Sequence, residues 1–369
     1  MNRQIQVLIV DDSAVVRQVY RSILEGAGIG VLATANDPFE AVRFISKAVP
    51  DVMIVDVEMP RMDGITFLRK IMQQCPIATI VCSSYTAAAS GRAFEAAQAG
   101  AVEVLEKPKD LVNNDDFAAR LCEAVRAASI ARPVVTPATV RATRSEERRL
   151  RAGEVSRTVG AVTSTKASVG SERRPVKPAA LVAIGASTGG TEAIRRVLST
   201  LPATLPPIVI VQHMPVGFTA GFADWLDKCC PLAVSEAIDG QPLATGQAVI
   251  AKGGFHLRIR RRYGRLTTVV SDDAPVNRHR PSVDALFDSV VTELGAHAHA
   301  VLLTGMGDDG AAGLLRLRNA GAITIAESEE SAVVFGMPKE AIARGAASMI
   351  LGLSEISSFL GSVQSDEVI

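Results

Sequence analysis

Twice along this chain, short β-branched runs alternate with helix-length amphipathic stretches, and this alternation is the strongest restriction on its fold. In the first stretch, from residue 5 to about 129, the runs are Val7–Val10, Val52–Val55, Thr79–Cys82 and Val102–Leu105. Between the first two lies a segment whose Val15, Val16, Val19, Tyr20, Ile23 and Leu24 share one helical face. Strand and helix in repetition predict an α/β fold, a doubly wound parallel sheet with helices on both faces. The alternation stops after residue 129: residues 131–178 hold eleven Lys/Arg, four Glu, four prolines and no aromatic residue. Such a segment reads as a flexible basic linker over 130–178; a nucleic-acid-binding arm is the alternative, but basic runs without aromatics or a fold seldom specify a partner.

From Ala179 the alternation resumes, with a strand over Leu181–Ile184, a glycine-dense turn, and a helix burying Ala193, Ile194, Val197 and Leu198. A strand at Ile208–Val211, a helix near Phe218–Asp227 and a hairpin-like stretch over Ala248–Val270 follow. Next come a helix from about Pro281 to Leu294, a strand at Ala300–Leu303, and helices after Asp309 and Gly336. The expected organisation is therefore a domain over 1–129, a linker over 130–178 and a second α/β domain over 179–369.

Composition removes several function classes. Lys plus Arg equals Asp plus Glu at 39 each, so no global field recruits nucleic acid or anionic lipid. The five cysteines are odd in number and lack paired spacing, which speaks against a disulfide framework or a zinc site and for a reducing cytoplasm. The N-terminal apolar run is too short and too quickly acidic for a signal peptide, and no run of about 18 apolar residues suggests membrane insertion.

Chemistry concentrates where strands end. Asp11 and Asp12 follow the first strand, Asp56 ends another, Ser83 and Lys107 end two more, and ligands of parallel sheets sit outside those ends. Converging carboxylates demand a positive neighbour, and an oxygen-only set suits Mg²⁺ with a phosphoryl group. Singly, each of these residues is as well explained as a helix cap or a turn. Together with Met59-Pro60 and Asp63-Gly64, they resemble the receiver domain of two-component response regulators. The resemblance implies Asp56 as phosphoacceptor, a Mg²⁺ held by Asp11, Asp12, Asp56 and the Glu58 carbonyl, Ser83 and Lys107 as switch residues, and a histidine kinase as phosphodonor. It departs at Val104, where receivers commonly carry an aromatic residue.

In the second half, Ser187 lies in Gly185-Ala186-Ser187-Thr188-Gly189-Gly190, between a strand and a helix, where free backbone amides gather. A serine needs a base, and His213 follows the next strand; Asp309, in the turn Gly305-Met306-Gly307-Asp308-Asp309-Gly310, can orient the imidazole. The chain order Ser, His, Asp differs from the lipase-type order, so that fold is not expected. A dinucleotide cradle or a structural turn is the competing explanation for the glycines, a packed residue for His213, and a helix cap for Asp309 or Asp308. His256, His279, His297 and His299 read as structural or surface residues.

These motifs, with Gln212-His213-Met214-Pro215 and Arg280-Pro281-Ser282-Val283-Asp284, resemble the catalytic domain of the chemotaxis protein-glutamate methylesterases from about residue 180 to 360. The resemblance implies hydrolysis of glutamate γ-methyl esters, and deamidation of glutamines, on the cytoplasmic helices of chemoreceptors. It implies Ser187 as nucleophile, His213 as base, Asp309 as its partner, the Met306 amide and groups near Thr188 at the oxyanion, and no cofactor for the esterase. A non-catalytic signalling adaptor using the same fold to bind partners is the alternative reading.

Overall fold

The computed structural model describes residues 3–84, 92, 95–108, 110–111, 114–131 and 177–366. The linker expectation falls almost wholly outside these residues.

The first sheet contains β1 (Gln6–Val10), β2 (Gly30–Ala35), β3 (Val52–Asp56), β4 (Ala78–Ser84) and β5 (Glu103–Lys107), all parallel, in the order β2-β1-β3-β4-β5. Successive side chains of a strand point to opposite faces. Accordingly Val7 and Ile9 enter one apolar cluster with Tyr20, Leu24 and Leu121, while Leu8 and Val10 enter another with Phe67 and Ile71. Burial on both faces explains the unbroken apolar runs that made these strands readable. β2 escaped the sequence reading because its Gly, Ala and Thr content and half-buried edge position leave no such run.

The second sheet has seven parallel strands in the order β14-β13-β12-β6-β7-β9-β8. They are β6 (Leu181–Ala186), β7 (Ile208–Gln212), β8 (Ala233–Glu236), β9 (Gln247–Ile250), β12 (Ala298–Leu302), β13 (Ile323–Glu327) and β14 (Met349–Leu351). β10 (His256–Arg262) and β11 (Arg265–Ser271) form a separate antiparallel hairpin. The stretch read as one hairpin is thus split: its first residues, within β9, pair in parallel with β7, and only the later part folds back on itself. The strand expected at Ala300–Leu303 begins two residues earlier, at Ala298.

β6 lies in the middle, with β7 on one side and β12 on the other. The chain winds outward from β6 in both directions, so this is the sheet's topological switch point, where loops at the carboxyl ends of neighbouring strands leave a crevice. The register aligns Gly185 with both Val211 and Leu302. The loops that follow β6, β7 and β12 therefore emerge side by side, and they carry Ser187, His213 and Asp309.

Candidate active site and its cover

The Ser187 turn is held by its neighbours rather than by its own residues. Its N–H donates to the Thr304 carbonyl at 2.9 Å, the Thr304 hydroxyl donates to the Thr188 carbonyl at 2.9 Å, and the Gln212 amide donates to the Ser187 carbonyl at 2.9 Å. Glycine is required at two contacts. A Cβ on Gly190 would stand 2.1 Å from Gln212 Oε1, and one on Gly305 would stand 2.7 Å from the Ser187 Cβ. Gly305 thereby lets the turn carrying Met306 approach the serine. Among the described residues, no hydrogen bond occupies the N–H of Thr188 or Met306, so both amides remain available to a developing oxyanion.

His213 Nε2 and Asp309 Oδ2 are 2.8 Å apart, and both side chains are largely buried. The carboxylate also accepts from Asn277 Nδ2 (2.8 Å), Ser282 Oγ (2.8 Å) and the backbone N–H groups of Val283 (2.7 Å) and Asp284 (3.2 Å). Burial pushes the Asp309 carboxyl up, but the bond and charge of His213, with Asn277 and Ser282, outweigh it and hold the group well below the usual carboxylate range. Asp308 plays no part in this network: it is exposed and pairs with Arg344 at 2.6 Å. With Nε2 committed to Asp309, the other ring nitrogen, Nδ1, is buried and makes no hydrogen bond. His213 and Ser187 line one pocket, so Nδ1 is the nitrogen available for a hydroxyl proton; such contacts often close only when substrate arrives.

The reading of His279 as structural or surface missed its place in this site. Its ring stacks on that of His213, with centroids 3.8 Å apart and planes 10° from parallel. Only the adjacency of the motif around Arg280 hinted at this. Burial and the facing His213, partly offset by Asp309, pull the His279 pKa down to about 3. It is therefore a neutral ring that fixes the plane of His213. An unfolded chain takes up a proton here near pH 6.5 while the folded one resists to about pH 3, so the unfolded state binds more protons between those values. The associated stability is complete above about pH 6.5 and is lost as the pH falls. His279→Gln should flatten the decline of the urea midpoint across that window; equal slopes for variant and wild type would refute the assignment.

The first domain carries the second cluster. Oxygen atoms of Asp11, Asp12 and Asp56 lie within 4.8 Å of one another, and Lys107 Nζ sits 2.6 Å from Asp11 Oδ2 and 2.9 Å from Asp56 Oδ1. Burial pushes the Asp56 carboxyl up, and Lys107 only partly compensates. Burial alone would lower the Lys107 pKa, but Asp56 and Asp11 outweigh it and raise it. Ser83 is buried, while Glu58 and Asp12 stand at the mouth of the same cleft. Asp56 Oδ1 is buried against the Lys107 ammonium, at the centre of an all-oxygen donor set from Asp11, Asp12 and Asp56. That arrangement fits a hard divalent cation such as Mg²⁺.

The two domains meet at the Ser187 pocket. The pocket containing Ser187 and His213 is walled on one side by Ala97, Ala101, Val102, Glu103 and Val104 of the first domain. The Gly189 N–H donates to the Val102 carbonyl at 3.2 Å. The space beside Ser187 and His213 is about 40 Å³, room for a few waters. Val104, the position of the missing aromatic, faces this pocket. On the other flank Val216, three residues beyond His213, reaches the rim of the Asp56 cleft.

Comparison with known proteins agrees with both halves. Residues 7–115 match the response regulator receiver domain family, and residues 182–360 match the CheB methylesterase family. The chain is 49% identical over 362 residues to protein-glutamate methylesterase/protein-glutamine glutaminase 2 of Rhodospirillum rubrum, covering 97% of this chain and 98% of that protein. It is also 49% identical over 356 residues to the protein-glutamate methylesterase/protein-glutamine glutaminase of group 3 operon of Bradyrhizobium diazoefficiens, covering 96% and 94%. A receiver rim set against a Ser, His and Asp constellation defines a response regulator whose output domain is built as a serine hydrolase. The chain belongs to the protein-glutamate methylesterase/protein-glutamine glutaminase family.

Proposed function

We propose that this protein hydrolyses glutamate γ-methyl esters on chemoreceptor helices, under control of phosphorylation at Asp56, and so resets receptor signalling during adaptation. The observation that carries this reading is the pairing of Asp309 with His213 Nε2, which leaves Nδ1 in the pocket that Ser187 lines. Ser187 Oγ attacks the ester carbonyl carbon while His213 Nδ1 takes its proton. Asp309 stabilises the imidazolium, and the N–H groups of Met306 and Thr188 receive the charge on the carbonyl oxygen. His213 returns the proton to the departing methoxide, methanol leaves, and an acyl-Ser187 ester remains. Water, deprotonated by His213, then attacks the acyl carbon and frees the glutamate carboxylate and the serine. A glutamine side chain follows the same course with ammonia as the leaving group, which is the deamidation carried in the relatives' names.

In the receiver domain, Asp56 would take the phosphoryl group from a histidine kinase. Asp11, Asp12, Asp56 and the Glu58 carbonyl would hold Mg²⁺, which neutralises phosphoryl charge when bound. Lys107 and Ser83 would contact the phosphate. Domains over 1–129 and 179–369 joined by the 130–178 linker allow the receiver to sit on the active site and to leave it. No helix among the described residues is long and apolar enough to cross a membrane, which accords with a cytoplasmic enzyme acting on the inner part of its receptors. The test is methanol release from methylated receptor membranes with and without a small phosphodonor and Mg²⁺. Wild type should accelerate on addition of the donor and Asp56→Asn should not; equal acceleration of both would remove Asp56 from the mechanism. A pure adaptor would release no methanol under any condition.

A further inference from the structure

We propose that Glu327, a buried glutamate with no part in the steps above, is a positioning residue that sets the spacing between Ser187 and the Met306 turn by anchoring the backbone of Thr304. The proposal rests on the methylesterase reading and deepens it, because it names the side chain that holds nucleophile and oxyanion donor in register.

Glu327 is the last residue of β13 and is fully buried. The backbone pairing between β12 and β13 ends at Leu302 and Ala326. Just beyond that point, where the chain leaves β12, the Glu327 side chain takes over as partner. Its Oε2 accepts from the Thr304 N–H at 2.8 Å, and its Oε1 accepts from the Ser331 hydroxyl at 2.8 Å. Thr304 is itself buried, so an apolar residue at 327 would leave that N–H without an acceptor. Both contacts are hydrogen bonds from neutral donors. The geometry therefore uses the reach of the side chain and not its charge.

Thr304 is the junction of the site. Its carbonyl accepts from the Ser187 N–H at 2.9 Å. Its hydroxyl donates to the Thr188 carbonyl at 2.9 Å and accepts from the Val334 N–H at 2.9 Å. The next residue, Gly305, donates its N–H to the Val334 carbonyl at 3.0 Å and accepts from the N–H groups of Gly336 and Met337 at 3.0 and 2.8 Å. Met306 follows directly. Thr304 thus grips the nucleophile's turn with its carbonyl and hydroxyl, leads into the oxyanion turn through Gly305, and is anchored at its own N–H by Glu327. Without the anchor the Leu303 to Thr304 peptide can shift, and a displacement of about 1 Å at a reacting group costs about a hundredfold in rate.

The experiment compares full-length wild type, Glu327→Gln, Glu327→Asp and Glu327→Ala, each phosphorylated. It reads kcat and KM for methanol release from methylated receptor membranes and, independently, the rate at which a fluorophosphonate labels Ser187. Both rates are normalised to the labelling endpoint, which counts folded sites. Glutamine offers an amide oxygen to Thr304 and an NH₂ group to the Ser331 oxygen, so its rates should stay within about threefold of wild type. Aspartate keeps the charge but is one methylene too short, and alanine removes the acceptor. Their kcat and labelling rates should fall about tenfold and about a hundredfold, with KM within about twofold of wild type. An Asp variant faster than the Gln variant would mean that charge is what acts, and the proposal is overturned. Equal losses in Gln and Ala, or a normalised rate unchanged in Ala, overturn it as well, since a glutamate that only supports folding lowers the number of sites and not the rate of each. If Glu327→Ala does not fold, the order of Gln and Asp decides. Should wild type label but release no methanol, the methylesterase reading fails, while the labelling rates still decide what Glu327 does for the serine.

Discussion

Replacing Ser187 with alanine should lower kcat for methanol release by about a millionfold, the loss seen when a nucleophile is removed from a concerted serine, histidine and carboxylate site. The nearby Thr304 hydroxyl does not stand in for it, because it is spent on the Thr188 carbonyl. The variant should still fold, because the turn is held through the Ser187 backbone and not through its Oγ. Phosphorylation should still proceed at Asp56. A Ser187→Ala protein that retained methanol release would sink the nucleophile assignment, and one that retained normal adaptation without any methanol release would favour the adaptor reading.

Asp309→Asn should cost about ten-thousandfold in kcat, whereas Asp308→Asn should remain near wild type. The reason lies in the five groups gathered on the Asp309 carboxylate: His213, Asn277, Ser282 and the amides of Val283 and Asp284. An asparagine retains the shape but presents an NH₂ group to donors that need an acceptor. It would also favour the tautomer of His213 that leaves a proton on Nδ1, where the serine proton must go. The acidic limb follows from the same contacts. Because the folded pKa is depressed, the carboxylate adds stability that is complete above about pH 3.9 and is lost as the pH falls toward the folded value. Active-site titration with a fluorophosphonate separates this folding loss from the loss in kcat. If the two variants fell equally, Asp308 would have to share the role, and its exposed pair with Arg344 would not describe the working enzyme.

Much of this arrangement was legible beforehand for identifiable reasons. Strands buried on both faces, such as β1, β3 and β6, write themselves as continuous apolar runs, and polar or glycine residues directly after them mark the functional edge of a parallel sheet. That rule points to Asp11, Asp56, Ser187 and His213 as candidate site residues. The strands β2, β8, β13 and β14 were not legible: half-burial leaves β2, β8 and β14 a mixed pattern that a loop can share, and Thr324 and Glu327 interrupt the apolar run of the buried β13. His279 was missed because its role depends on a ring stacked from a segment 66 residues away in the chain, and nothing local records such a contact. Asp308 and Asp309 are identical in type and adjacent, so only the direction of each side chain separates them.

The amino-acid sequence by itself determined two α/β folds and that Ser187, His213 and Asp309 each follow a strand, because those depend on burial periodicity and on strand ends. The tertiary structure decided which carboxylate meets the imidazole, and that Nε2 is the nitrogen it holds, because side-chain direction is set by packing around β6. It alone decided the relation between the domains. A glutamate that reads in the sequence as an ordinary residue of β5 lies in the other domain's catalytic pocket, since folding juxtaposes surfaces that share no local pattern.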